Sequence, residues 1–304
     1  MIHLRALSSQ SWAPGGAAMI GNFDGVHLGH QALLNEVLHL PGPHGVILFE
    51  PHPKESFSKE EAPRRIFLLA DKLQLLREKG LDYALIIHFN SHIAAWTASH
   101  FIQKILHERL ALKHLVVGPD FRFGYQRQGG AAEIQAAGIA VHSVELVEDQ
   151  GEKVSSTLIR NSILQGDFKR AQALLGHAYT VTGRVLHGLK RGRTLGFPTL
   201  NIGLRPNMLL SGVYAVRVNG LGDRVLPGVA NVGRRPSLNP LVHPLLEVHL
   251  FDYNHEVYGR RVRVEFVAKL RDEQKFAALP DLIAQIRHDV EHAKQELICP
   301  SPLK

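Results

Sequence analysis

His27 and His30 stand three apart within GNFDGVHLGH, residues 21–30, a spacing that puts both imidazoles on one face of a helix. Two imidazoles on one face can converge on one anion. The apolar run at 17–20 ahead of them stops at small and polar residues, as a buried parallel strand ends at a binding edge. Leu28, Leu33, Leu34, Val37 and Leu38 then recur at helical spacing. Gly29 and His30 therefore fall in a first helical turn, whose backbone N–H groups lack intrahelical partners and attract phosphate. Gly21 and Gly25 let the backbone approach a ligand that a side chain would hold off. The competing reading is a strand-turn-helix with two exposed histidines. Two histidines, three glycines and a strand-to-helix junction together favour an anion site.

Two further stretches have the make-up of anion sites. In KVSSTLIR, residues 153–160, Ser155 and Ser156 are N-cap candidates, with Thr157 and Arg160 beside them in the following turn. Capping accounts for the serines but not for an arginine one turn inside. In GLKRGRTLG, residues 188–196, Gly188, Gly192 and Gly196 alternate with Lys190, Arg191 and Arg193, so the loop can present amides and positive charge to phosphates. The GxxxxGK[ST] order of a Walker loop is absent, and a basic hairpin tip is the plainer alternative. FPTLN follows at 197–201. Thr199 and Asn201, two apart on a strand, face one side, and a hydroxyl and an amide oxygen are hard donors that suit Mg²⁺.

Other candidates lie at the ends of strand-like runs. Glu247, in LEVHLFDYNHEVYG at 246–259, faces away from Leu246 and Val248 and is the best-placed general base, the alternative being an exposed barrel glutamate. In GPDFRFG, residues 118–124, Phe121 and Phe123 can stack on a flat ring while Asp120 accepts hydrogen bonds; a buried phenylalanine pair is the other reading. EPHP, residues 50–53, holds Glu50 and His52 where Pro51 and Pro53 stiffen the backbone.

The elements needed to position these residues change character once along the chain. Strand-like runs at 17–20, 44–50, 83–89 and 114–117 alternate with helical ones after 28, at 67–79 closed by Gly80, and at 98–110. Such alternation predicts a parallel sheet covered by helices on both faces, with ligands at the carboxyl ends of the strands. A helical GDFKRAQALLG, residues 166–176, closes this part. From Tyr179 the pattern turns to period two, with short strands separated by Gly and Pro, which predicts an antiparallel barrel or sandwich. An amphipathic segment at 274–297 reads as a terminal helix packed on it. The fold class is α/β plus β, with domains at 1–178 and 179–304.

The 304 residues exceed a usual single core, and 45% hydrophobic against 21% charged residues describe a globular chain. A net charge of +7 and a pI near 9.6 suit an anionic partner without choosing among nucleotides, nucleic acid and acidic membranes. One cysteine, Cys299, excludes an intramolecular disulfide and a multi-cysteine zinc site. The N-terminal stretch lacks the apolar core of a signal peptide, and no run approaches eighteen apolar residues, so the expected location is the cytoplasm and no membrane partner is expected.

The histidine motif resembles the HxGH nucleotidylyltransferase superfamily, and its longer form, GxFDGxHxGH, resembles the bacterial bifunctional riboflavin kinase/FMN adenylyltransferase (FAD synthetase) family. FxPHP at 49–53, GxDFxFG at 118–124, SSTxIR at 155–160, GxVxxGxxxGRxLGFPTxN at 183–201, GVANVGRRPS at 228–237 and LExHLFD at 246–252 resemble later segments of that family, in order, over roughly residues 16–290. Leu200, Pro119 and Ser237 depart from the usual residues. The resemblance implies a Rossmann-like N-terminal nucleotidylyltransferase domain and a C-terminal flavokinase barrel with a terminal helix. ATP is the implied substrate of both, Mg²⁺ the cofactor, riboflavin and FMN the acceptors, and FMN and FAD the products. His27, His30 and Arg160 would stabilise the transferring α-phosphate and the leaving pyrophosphate. Gly21, Asn22, Phe23, Asp24, Gly25, Gly29, Asp120, Ser156 and Thr157 would hold one nucleotide, and Gly188, Lys190, Gly192, Arg193 and Gly196 the other. His52, Phe121 and Phe123 would lie by the flavin, Thr199 and Asn201 by the metal, and Glu247 would act as base. Alternatives are a nucleotidylyltransferase with another phosphate acceptor, a chain with one inactive module, and an RNA-binding module. The FPTxN barrel speaks against the first, and nucleic acid is disfavoured because basic and aromatic residues are not interleaved.

Overall fold

The computed structural model describes residues 1–5, 13–57, 62–187, 197–205, 208–233, 244–253 and 255–298. The chain divides into two compact units, one of Met1–Pro63 with Phe67–Ser156 and the other of Arg64–Ile66 with Thr157–Lys304.

The first unit is built on six parallel strands, β1 (Ile2–Arg5), β2 (Ala17–Gly21), β3 (His44–Glu50), β4 (Tyr83–His88), β5 (His114–Val117) and β6 (Ala140–Ser143), in the order β1-β4-β3-β2-β5-β6. The inner strands are apolar between their ends because both faces are covered. On one side Ala17, Met19, Val46 and Leu48 pack with Leu34 and Val37 of α1 (Leu28–His39) and Leu73 and Leu76 of α3 (Leu69–Glu78). On the other, Ala18, Ile20, Ile47 and Leu85 pack with Phe101 of α5 (Ala98–Phe101), Ile105 beyond it, and Ile134 of α6 (Ala131–Ala136). Short helices α2 (Pro53–Phe57) and α4 (Ser91–Ala94) complete this set. Strand order reverses between β2 and β5, so a crevice opens at their carboxyl ends, where an open α/β sheet binds ligands.

The expected helix at 98–110 is present, but from Ile102 to Arg109 it winds as a π-helix, which side-chain spacing over eight residues cannot tell from an α-helix. Edge strands β1 and β6, and the two-residue strands β7 (Glu148–Asp149) and β8 (Glu152–Lys153), were not among the predicted elements. They are too short and too polar to carry a hydrophobic period.

In the second unit, α7 (Ser156–Gln165) and α8 (Phe168–Leu175) precede a closed barrel ordered β10-β13-β12-β11-β14-β9. Its strands are β9 (Thr180–Leu186), β10 (Thr199–Gly203), β11 (Gly212–Asn219), β12 (Leu226–Gly233), β13 (Leu245–Leu250) and β14 (Arg261–Arg271), every neighbouring pair antiparallel. Leu200, Val216, Ala230, Val248 and Val264 are buried on one face of their strands. Phe168 of α8 packs among Tyr179, Tyr214 and Phe266, with ring centroids 5.8 to 6.0 Å away. The terminal helix α9 (Leu279–Ile298) lays Val290 and Ala293 on Val213, Ala215 and Val229 of the barrel wall. It starts five residues later than the sequence pattern suggests. Pro280 explains this, since proline is tolerated in a first helical turn and lacks the N–H that an interior position needs.

Candidate active sites

In the first unit the 21–30 motif leaves the end of β2 as a tightly wound loop. Phe23, Gly25 and Val26 all take left-handed backbone conformations, with φ of 47°, 87° and 44°. For Phe and Val this is strained, and strain of this kind persists only where the surroundings enforce it. Three contacts do so. Asp24 Oδ1 accepts from the Phe67 N–H at 3.1 Å, Ser156 Oγ donates to the Asp24 carbonyl at 2.9 Å, and Lys72 Nζ donates to the Asn22 carbonyl.

His27 is the N-cap of α1, its Nδ1 accepting from the His30 N–H at 3.4 Å. An accepting Nδ1 carries no proton, so the donor of a neutral His27 is Nε2. The two imidazoles stack with centroids 3.6 Å apart and planes 19° from parallel, and Phe23 meets His30 edge-on at 5.0 Å. Gly29 makes room for this, since a Cβ there would stand 3.2 Å from the His27 ring. His30 Nδ1 is buried and has no hydrogen-bond partner among the described residues. Desolvation, then the neighbouring His27, then the Lys72 cation hold the His30 pKa well below its ordinary value, so the ring is neutral at pH 7.

The remaining first-unit candidates are placed unequally. Asp120 is exposed at the rim and paired with Lys153 at 3.2 Å. Phe121 and Phe123 stack 5.4 Å apart, but Phe123 is 7% exposed and packs against Phe101 in the core, so only Phe121 is half-open to a ligand. His52 follows the end of β3 and accepts from the Lys54 N–H through Nδ1 at 3.1 Å. Thr157 and Arg160 belong to the second unit, where Arg160 Nε donates to the Arg64 carbonyl at 2.7 Å. Lys72 is the residue that sequence reasoning missed. Its signal was legible: it shares the apolar stripe of α3 with Leu69, Leu73 and Leu76, and it is only 5% exposed.

In the second unit Glu247 of β13 lies opposite Asn201 of β10 on one side and opposite Asn231 of β12 on the other. The three form a row across three strands, on the face away from Leu246 and Val248, with neighbouring Cβ atoms about 5 Å apart. Asn231 was not predicted, although VANVG sets one amide among apolar residues. Asn201 is 6% exposed, and its Oδ1 is buried with no hydrogen-bond partner among the described residues. An orphaned amide oxygen beside a carboxylate is what a hard cation would satisfy, so these donors fit Mg²⁺. Leu200 points to the opposite, buried face, away from that oxygen. Thr199 lines a pocket with Val185, Leu200, Leu250, Tyr253 and Tyr258. Gly188, Lys190, Gly192, Arg193 and Gly196 lie outside the described residues, as do Ser237 and Cys299.

An HxGH loop at the switch point of a parallel sheet, followed by a closed antiparallel barrel with a polar cross-strand row, defines a nucleotidylyltransferase-like fold joined to a flavokinase-like one. Residues 10–158 match the family model of FAD synthetase, and residues 175–297 that of riboflavin kinase. The bifunctional riboflavin kinase/FMN adenylyltransferase of Escherichia coli (strain K12) is 43% identical over 304 residues, 96% of each chain being covered. The protein of the same name from Haemophilus influenzae is 43% identical over 289 residues, covering 92% of this chain and 94% of that one. A crystal structure described as a macrolide-efflux protein from Streptococcus pneumoniae aligns with a TM-score of 0.79 and 30% identity, over 97% of this chain and 99% of that one. Among the described residues no helix is long and apolar enough to cross a membrane. The chain belongs to the bifunctional riboflavin kinase/FMN adenylyltransferase family.

Proposed function

We propose that the barrel phosphorylates riboflavin with ATP and that the HxGH unit adenylylates the resulting FMN with a second ATP. The observation that carries the reading is the row Asn201–Glu247–Asn231, which sets a base beside an unsatisfied metal donor. Glu247 removes the proton of the terminal ribityl hydroxyl as that oxygen bonds to the γ-phosphorus and the bond to ADP breaks. Thr199 Oγ1 and Asn201 Oδ1 would hold Mg²⁺, which supplies charge neutralisation on the ATP phosphates. Asn231 keeps the carboxylate oriented from the other side.

In the HxGH unit a phosphate oxygen of FMN bonds to the α-phosphorus of ATP, and the bond to pyrophosphate breaks. His27 Nε2–H and the neutral His30 donate to the phosphoryl oxygens as charge builds on them, with the first-turn amides of α1 beside them. Lys72 holds the loop and adds to the desolvation and the His27 ring that keep His30 neutral. The motif assigns Ser156, Thr157 and Arg160 to the nucleotide and His52 and Phe121 to the flavin. We keep the functional boundary at 178–179, supported by the period-two pattern that starts at Tyr179. ATP-dependent flavin chemistry and a single cysteine support a cytoplasmic location.

The test is a time course with riboflavin, ATP and MgCl₂, flavins separated by chromatography, beside a reaction started from FMN. FMN followed by FAD is expected. FMN alone would refute the adenylylation half, and no product from either start would refute the whole reading.

A further inference from the structure

The polar row of the barrel does not stop at Asn231. Two residues along β12 and on the same face, about 7 Å away, Gly233 lies beneath a side chain from a distant part of the sequence. A Cβ built on Gly233 would stand 2.0 Å from Oε1 of Glu273 and 3.4 Å from Nδ2 of Asn231. Gly233 does not have a left-handed φ, so its backbone does not demand glycine. The Glu273 carboxylate, the end of a flexible side chain, rests in the space beside this backbone, and a side chain at 233 would displace it from there.

Glu273 stands on an anchored stretch of backbone. It follows β14 by two residues, and Arg271 anchors that end of the strand. The Arg271 guanidinium grips both oxygens of Asp289 on α9, with Nη2 to Oδ2 at 2.7 Å, and donates to the Asp272 carbonyl at 2.9 Å. The residue is exposed, and its carboxyl is only partly withdrawn from water. That desolvation raises its pKa, and Arg271 works in the opposite direction. Among the described residues Glu273 makes no ion pair.

The transfer of a phosphoryl group to one hydroxyl needs one base, and Glu247 fills that role. A second carboxylate, held further along the same face, matches an acceptor that carries several hydroxyls in a line, as the ribityl chain does. A charged acceptor is well suited to hold such donors, because charge-assisted hydrogen bonds are shorter and stronger than neutral ones. We propose that Glu273 binds the internal hydroxyls of the ribityl chain while Glu247 addresses the terminal one, and that glycine at 233 leaves that carboxylate in place beside the row. This assignment rests on the flavokinase reading of the barrel.

The test uses the full chain with two acceptors, ATP being saturating except where its own KM is measured. One is riboflavin. The other is a flavin whose N10 substituent is a 5-hydroxypentyl chain, which keeps the terminal hydroxyl and lacks the internal ones. Glu273→Ala is expected to lower kcat/KM for riboflavin about tenfold, mostly through KM, the size of a lost hydrogen bond to a charged group. It should leave the hydroxypentyl flavin, the KM for ATP and FMN-to-FAD conversion unchanged. Gly233→Ala, which sets a methyl group where the carboxylate rests, should give the same riboflavin-specific loss. Equal losses on both flavins, a raised KM for ATP, or unaltered riboflavin kinetics in both variants would overturn the assignment. Failure of the underlying reading looks different, since the unaltered chain would then form no FMN from riboflavin.

Discussion

At His30 the structure turns a motif residue into a specific chemical state. The ring is stacked on His27, stripped of water and set near the buried Lys72 cation, and it is therefore a neutral donor. His30→Ala is expected to slow FMN-to-FAD conversion by about 10²-fold or more, the usual effect of losing a donor to a developing oxyanion, while riboflavin phosphorylation continues. Replacing Lys72 by Met removes one of the causes that depress the His30 pKa, so its imidazole resonances in an NMR titration should shift at higher pH than in the parent; an unchanged midpoint would exclude the electrostatic link. A histidine whose folded pKa is depressed binds more protons when unfolded, so its stabilising contribution is complete above the unfolded value near 6.5 and declines as pH falls below it. Thermal midpoints should accordingly drop between pH 7 and pH 5.5, and drop less in His30→Phe. On the barrel, Glu247→Gln should abolish FMN formation and leave conversion of added FMN to FAD intact, as followed by flavin chromatography.

At the scale of elements, each site depends on a contact far from its own sequence. Arg271 and Asp289 tie β14 to α9, with side chains 17% and 6% exposed. Gln285 adds a hydrogen bond to Asp289 at 2.9 Å. Asp289→Ala leaves the guanidinium buried without its partner, which should cost about 3 kcal/mol in urea unfolding and should weaken riboflavin phosphorylation, because Glu273 sits on the same anchored segment. Phe168 does comparable work through packing. Its ring meets Tyr179, Tyr214 and Phe266, and Phe168→Ala should destabilise the barrel by about 3 to 5 kcal/mol in the same measurement.

Across the whole molecule, two reactions linked by one intermediate are assigned to separate motif sets, and this has a consequence for mixtures. A mixture of the Glu247→Gln and His30→Ala chains should make FAD from riboflavin, each chain supplying the step the other lacks. Absence of FAD from a mixture of folded variants would mean that FMN never leaves the chain that makes it.

Much of this was legible in the residues alone. HxGH placed two histidines and free first-turn amides at a strand-to-helix junction, because three-residue spacing and free first-turn amides are local properties. The change from helical to alternating periodicity near Tyr179 foretold a sheet with helices followed by a barrel, because burial on one face or two is written in the period. Thr199, Asn201 and Glu247 could be placed on strand faces for the same reason. Other features required distant segments to meet. Only the strand order puts the switch point between β2 and β5, only the barrel register sets Asn201 and Asn231 on either side of Glu247, and only closure brings Glu273 onto Gly233. Phe123, read as a ring contact, is instead core, because a motif gives residue types and not which side of a loop meets solvent. Local sequence determined which groups exist and how they space along an element. Which of them face one another was decided by pairing between segments as far as 132 residues apart, as in the bond from Ser156 to Asp24, because non-local pairing has no period to read.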